Sequence, residues 1–226
     1  MFGLISKQAR QAFRSSPTFA VACTLVIVLS LKTFFGILYE YQWYFPPDYD
    51  HSAFLSGRRR TFVGIYQPAF YVHIISGPIT MLLGTYSLLT GGVKKSRKLH
   101  GWVGRANVFL VLALVVPSGF LMTLQAYGGP SAMLGFAALT SATGISAVMA
   151  TLHARRRRFR LHRVWAIRLY ILLISPLVLR IFAGVMIVTG LESVWTYRIN
   201  AWGSWLAPLA IYEAIDWRAE FASSVD

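Results

Sequence analysis

Two histidines stand in the same short phrase. The first is Leu99-His100-Gly101-Trp102, closing with Arg105; the second is Leu161-His162-Arg163-Val164-Trp165, closing with Arg168. The histidines are 62 residues apart, about the length of two membrane helices with their connections. The repeat predicts two equivalent helices entering a bilayer from one face, each with an imidazole at its entrance. Paired imidazoles, with His153 as a third, are candidate ligands for a divalent metal, His100 and His162 foremost. No carboxylate accompanies them in these segments, which weighs against a metal. The same residue types also suit a plainer role, because histidine, tryptophan and arginine anchor helices at headgroups.

A second group is more deeply set. Lys32, His73 and Arg180 each fall inside an apolar run, about two to three turns from its far end at ~5.4 Å per turn. All three therefore reach a similar depth in the opposite leaflet. A cation in the hydrocarbon costs at least ~2.5 kcal/mol on insertion scales. The first five apolar runs contain no carboxylate to offset it. Lys32, His73 and Arg180 are accordingly candidate ligand-binding residues for a lipid phosphate, a quinone carbonyl or an anionic substrate. The alternative is that Lys32 and Arg180 snorkel to the headgroups or pair with surface acids such as Glu40, Asp48, Asp50 or Glu192.

The elements that must position these residues are hydrophobic helices. Of 226 residues 56% are hydrophobic and 13% charged, with mean hydropathy +0.54, so the bilayer is the main solvent. Six spans are predicted, at about 18–38, 65–91, 102–124, 131–153, 168–189 and 199–215. Pro68, Pro78, Pro176 and Pro208 fall inside them, Pro68 and Pro78 as kink sites. The first run follows Lys7, Arg10 and Arg14 like a signal peptide, but its length and the lack of a cleavage site predict an uncleaved helix. The net charge of +14 is gathered in blocks between the runs. That is the pattern of membrane orientation and of anionic-lipid contact at Arg155–Arg158, so nucleic acid is excluded as a partner. Sixteen basic residues fall on the side of the N-terminus and four on the other, which predicts both termini in the cytoplasm. The long outer segment from Tyr39 to Phe62 is rich in aromatics and reads as an interfacial belt or a re-entrant cap. The stretch from Glu213 to Asp226 reads as a short, frayed acidic tail. The one cysteine, Cys23, supports neither a disulfide nor a zinc framework. The chain contains no GxSxG, no HExxH and no phosphate loop after a strand. It also lacks the intramembrane acids and inverted repeat of a typical transporter.

Together, His73 with Gly77-Pro78, Leu99-His100-Gly101-Trp102-Val103-Gly104-Arg105 and Leu161-His162-Arg163-Val164-Trp165-Ala166-Ile167-Arg168 resemble a bacterial family of predicted membrane proteins, domain of unknown function 2306, over roughly residues 60–190. That resemblance implies a multi-pass membrane protein and supplies no activity. Gly101 stands where the family pattern leads us to expect Arg. A looser likeness is to the transmembrane two-haem b-type cytochromes, which pair histidines on alternate helices of a four-helix core. It implies one haem b held by His100 and His162 near the cytoplasmic side, with Arg105 and Arg168 among the residues neutralising its propionates. A second haem lacks its ligand, because the fourth helix offers only His153, at the wrong face.

The expectation is thus an all-α membrane protein of the bacterial inner membrane, one polytopic domain over 1–226. Its four-helix core comprises helices two to five, with helices one and six outside. The leading functional expectation is a b-type-cytochrome-like redox protein with one haem and a quinone near His73 and Arg180. The alternative is a cofactor-free accessory or lipid- and small-ligand-binding subunit of a larger membrane complex. The orientation is tested by impermeant maleimide labelling in a Cys23→Ser background. Ser56→Cys is expected to label in intact cells, and Ser96→Cys only after permeabilisation.

Overall fold

The computed structural model describes residues 17–93 and 96–224. Lys7, Arg10, Arg14, Lys94 and Lys95, which carry part of the orientation argument, lie outside the described residues. Six helices follow one another: α1 Pro17–Tyr39, α2 Tyr66–Thr90, α3 Arg97–Thr123, α4 Pro130–Arg155, α5 Phe159–Val188 and α6 Val194–Ser224. The described residues form no strand. The first five helices are long and apolar enough to cross a membrane. The sixth is long enough at 31 residues, but Arg198, Asn200, Ser204, Glu213 and Asp216 make it more polar than the others.

The helices begin and end where local chemistry allows. Pro130 opens α4, where its missing N–H costs nothing, after Gly129 at φ 73°. Pro68 falls in the first turn of α2 and so is tolerated for the same reason. Pro117 would clash with a regular turn before it. The chain relieves that clash with a π-helical turn over Val111–Val115 inside α3. The fifth helix starts about nine residues earlier than hydropathy predicts. His162, Trp165 and Arg168 are therefore within its first three turns.

Helices α2, α3, α4 and α5 close a ring, each packed on its neighbours and α5 back on α2. Between them Val111, Ala147, Leu169 and Leu173 are buried together. Hydrophobicity cannot choose partners among helices that lipid solvates equally well, so small residues and hydrogen bonds do so. Thr85 Oγ1 lies 2.9 Å from the Tyr170 hydroxyl, tying α2 to α5. His162 Nδ1 donates to the Ala150 carbonyl at 2.8 Å, tying α5 to α4. Gly135 lets Trp202 of α6 lie against α4, and the Trp202 indole donates to the Ser131 carbonyl at 3.1 Å.

Helix α6 is therefore integral to the bundle, with Ala201 fully buried and Trp205 nearly so. The expected frayed tail is instead helix through Ser224. Glu213 accepts two hydrogen bonds from Arg168 of α5, at 2.6 and 2.7 Å. In contrast, α1 packs against α5 and buries none of its described side chains.

The Arg168–Glu213 fork is a charge-assisted bidentate pair, partly exposed on both sides. Arg168→Ala and Glu213→Ala are each expected to lower the unfolding temperature in detergent. Their double-mutant coupling is expected at about 1–2 kcal/mol, read from equilibrium unfolding of the four variants.

Candidate functional site

The loop between α1 and α2 makes the site. After α1 a 3₁₀ turn spans Glu40–Trp43, and the chain then packs on α2 at the end of the bundle. Tyr44, Leu55 and Phe62 are buried against Tyr66 and Phe70 of α2. The Phe70 ring is the hub: Phe54 stacks on it with centroids 4.9 Å apart, and Tyr44 and Phe62 meet it edge-on at 5.1 Å. Tyr71 donates to the Tyr44 carbonyl at 2.8 Å, and Tyr41 donates to the Ile74 carbonyl. Burial pushes the Tyr44 phenol above its ordinary pKa, against the pull of the nearby Arg180 guanidinium. Of the two readings of this segment, the cap is the one observed.

Beneath the cap lies a cavity of about 320 Å³, at the lower end of the range for small-molecule sites. Its walls are mostly apolar, from Phe34 and Ile37 of α1 to Met81, Val116, Phe136 and Leu173 across the bundle. Its polar lining includes His73, Arg180 and Arg58, with Tyr41, Tyr44, Tyr66 and Tyr197. No carboxylate lines it. Two of the three residues expected in this leaflet, His73 and Arg180, therefore share one cavity. Lys32 does not join them: it is exposed on α1, and its helix neighbours Phe34 and Ile37 face inward instead.

His73 is held in a defined state by α3. The Ser118 hydroxyl donates to the Leu114 carbonyl at 2.5 Å, so its oxygen accepts from His73 Nδ1 at 3.1 Å. The fit requires Gly119, where an added Cβ would stand 3.4 Å from His73 Cε1 and 3.2 Å from Thr140. The π-helical turn just before it re-aims this part of α3. Arg58 is one of the basic residues of the loop between α1 and α2. It stacks over Phe54 at 4.5 Å and donates to the Gln125 carbonyl at 3.0 Å, which brings it from the cap into the cavity wall. Only a folded cap reveals this role.

At the opposite end, the two phrases do meet. The rings of His100 and His162 lie edge to face, centroids 6.4 Å apart. His153 is buried on the last turn of α4, with Nδ1 unpartnered. No group of three ligating side chains that could hold a metal is found among the described residues. The propionate partners are engaged elsewhere. Arg168 is bound by Glu213 and lies over Trp165 at 4.4 Å; Arg105 lies over Trp102 at 4.5 Å. Nothing in this arrangement supports a haem: deeper between the helices Val111, Ala147 and Leu169 are buried together, and each phrase stacks its arginine on its own tryptophan. A third copy of that spacing, Trp195 with Arg198 at 4.7 Å, starts α6 at the other face.

A family model described as predicted membrane protein (DUF2306) matches residues 70–215. The chain belongs to this family. The match takes in His73, both histidine phrases and Arg180, but begins after α1 and Arg58. It describes a membrane protein of unknown function. Neither a curated protein nor a solved structure matches the chain.

The cap also carries a pH-sensitive corner. Asp48 accepts backbone hydrogen bonds from His51 and Asp50 at 3.0 and 2.9 Å and lies 2.9 Å from the His51 ring, which stacks on Trp43. The backbone donors hold the Asp48 carboxyl below its ordinary value of 3.8. Its contribution to cap order is therefore fully present above pH 3.8 and is lost as pH falls through the lower folded value. Hydrogen exchange of the Asp50 and His51 amides is expected to accelerate beyond its intrinsic pH trend over that acidic range. Asp48→Asn is expected to remove this excess change.

Proposed function

We propose that this protein binds a small amphipathic molecule inside the membrane, in the cavity beneath the aromatic cap. The ligand's polar head sits at His73 and Arg180, and its apolar body lies along the α2, α3 and α5 walls. The observation that carries the reading is the composition of one wall set: His73, Arg58 and Arg180 line one mostly apolar cavity that no carboxylate lines. Polar groups placed inside hydrocarbon without internal partners mark a site by default, and concave, mostly apolar pockets with a few convergent polar groups are the usual form of small-ligand sites. A quinone or a lipid-derived molecule has this shape. The reading is the cofactor-free one, and it assigns the His100–His162 end to anchoring and packing. We further place the protein in the bacterial inner membrane, with the Arg155–Arg158 face toward anionic cytoplasmic headgroups, where it is available to a larger complex.

Gly77 supplies the test. It lines the cavity, and a Cβ added there meets nothing within 4 Å, so Gly77→Phe adds a ring at the lining from a position with room for its first carbon. Native mass spectrometry of protein released from detergent is expected to show a bound small molecule on the wild type and not on Gly77→Phe, with both folded. Equal occupancy of the two by the same molecule would sink the reading.

A further inference from the structure

The geometry points to an anionic head on the cavity's ligand, a carboxylate or phosphate on a single apolar chain. This deepens the proposed binding function and rests on it. Two guanidiniums line the cavity from different elements, Arg58 from the cap and Arg180 from α5. Arg180 lies eight residues before the end of α5, about 12 Å into the span at 1.5 Å per residue. Tyr197 stands within the field of both. Neither arginine forms an ion pair with any described residue. Arg168, lower on the same helix as Arg180, has a carboxylate partner in Glu213.

The surrounding groups are donors and neutral hydroxyls rather than competing anions. Tyr41, Tyr44, Tyr66 and Tyr197 bring phenols to the same lining. Gln125, whose main-chain carbonyl already holds Arg58, has a buried side-chain oxygen with no partner; a turn of that amide presents an N–H instead. Glu40, on the turn above, does not line the cavity, and one of its carboxylate oxygens is likewise unpartnered. Two guanidiniums with only neutral partners, the Gln125 main-chain carbonyl for Arg58 and the Tyr44 phenol beside Arg180, keep their charge uncompensated in a mostly apolar cavity and select an anionic head that accepts their remaining hydrogen bonds. A neutral quinone carbonyl satisfies one such donor and leaves the second charge uncompensated. The modest volume favours one chain over two.

Three probes of equal chain length separate the possibilities: dodecanoate, dodecyl phosphate and dodecanol, titrated against the purified full-length protein at pH 7.5 with binding read by the unfolding temperature. Both anions are expected to bind at least tenfold more tightly than dodecanol. That advantage is expected to disappear in Arg58→Gln and Arg180→Gln and to be reduced but not lost in Arg180→Lys, which keeps the charge without the fork. Gly77→Phe, which has the same net charge, is expected to abolish binding of all three and so excludes adsorption to the basic surface. The stronger of the two anions identifies a carboxylate-headed or phosphate-headed source. If dodecanol matches the anions and all three are lost in Gly77→Phe, the cavity binds ligand but the anionic assignment is overturned. If anion binding survives in folded Arg58→Gln and Arg180→Gln, the assignment is likewise overturned. If no probe distinguishes the wild type from Gly77→Phe, the binding function itself falls. Should a glutamine variant fail to fold, the wild-type ratio of anion to dodecanol affinity decides alone.

Discussion

A charge in hydrocarbon must find a partner, and the arrangement of this bundle follows from how each arginine does so. Arg168 reaches across to Glu213 and so fastens α6 to α5. Arg198 donates to the Gly128 carbonyl at 2.7 Å and stacks on Trp195, which sets the start of α6 against the turn between α3 and α4. Arg58 holds the Gln125 carbonyl and leans on Phe54, which pins the cap to the end of α3. Each of these contacts satisfies a group that the bilayer cannot, and each also defines a packing geometry. Arg180 departs from the pattern: it has phenols nearby and no carboxylate, in the lining of the cavity beneath the cap. A site that binds a polar group must leave its own polar groups incompletely satisfied before the ligand arrives.

The two ends of the molecule have been built for different purposes. At the basic face, His162 donates to Ala150, Trp165 lies under Arg168 and Trp102 under Arg105, while His100 and His153 each keep a buried Nδ1 without a partner. The helices there pack around small and branched residues and close the centre. At the capped face, Pro117 and the π-helical turn before it reshape α3, and Gly119 lets His73 approach. The aromatic cluster around Phe70 then roofs the space that results. The repeat that draws the eye in the sequence therefore stabilises one end, while the residues around the cavity follow no repeated phrase.

The sequence shows these features unequally. Helix number and most boundaries come from hydropathy, since a bilayer demands long apolar runs with every backbone group satisfied internally. The early start of α5 escapes that signal because Arg160, His162, Arg163 and Arg168 lower local hydropathy while a helix continues. Membership of the family was legible from the same histidine phrases and from Gly77-Pro78. Depth estimates along single helices placed His73 and Arg180 together correctly. They failed for Lys32, because depth says nothing about which side of a helix faces inward. They also missed Arg58, whose position depends on a loop with no periodicity.

By itself the sequence determined that this chain is an all-helical membrane protein with six helices, and which basic groups lie too deep to be ignored. Those properties depend on composition and on distance along one helix, and both can be read linearly. Tertiary structure alone decided that each histidine phrase stacks its arginine on its tryptophan, that α6 belongs to the bundle, and that the loop between α1 and α2 roofs a cavity. These depend on rotation about helix axes and on contacts between distant segments. Among helices that lipid solvates equally well, only side-chain hydrogen bonds and close approaches decide such matters, and no local pattern in the chain encodes them.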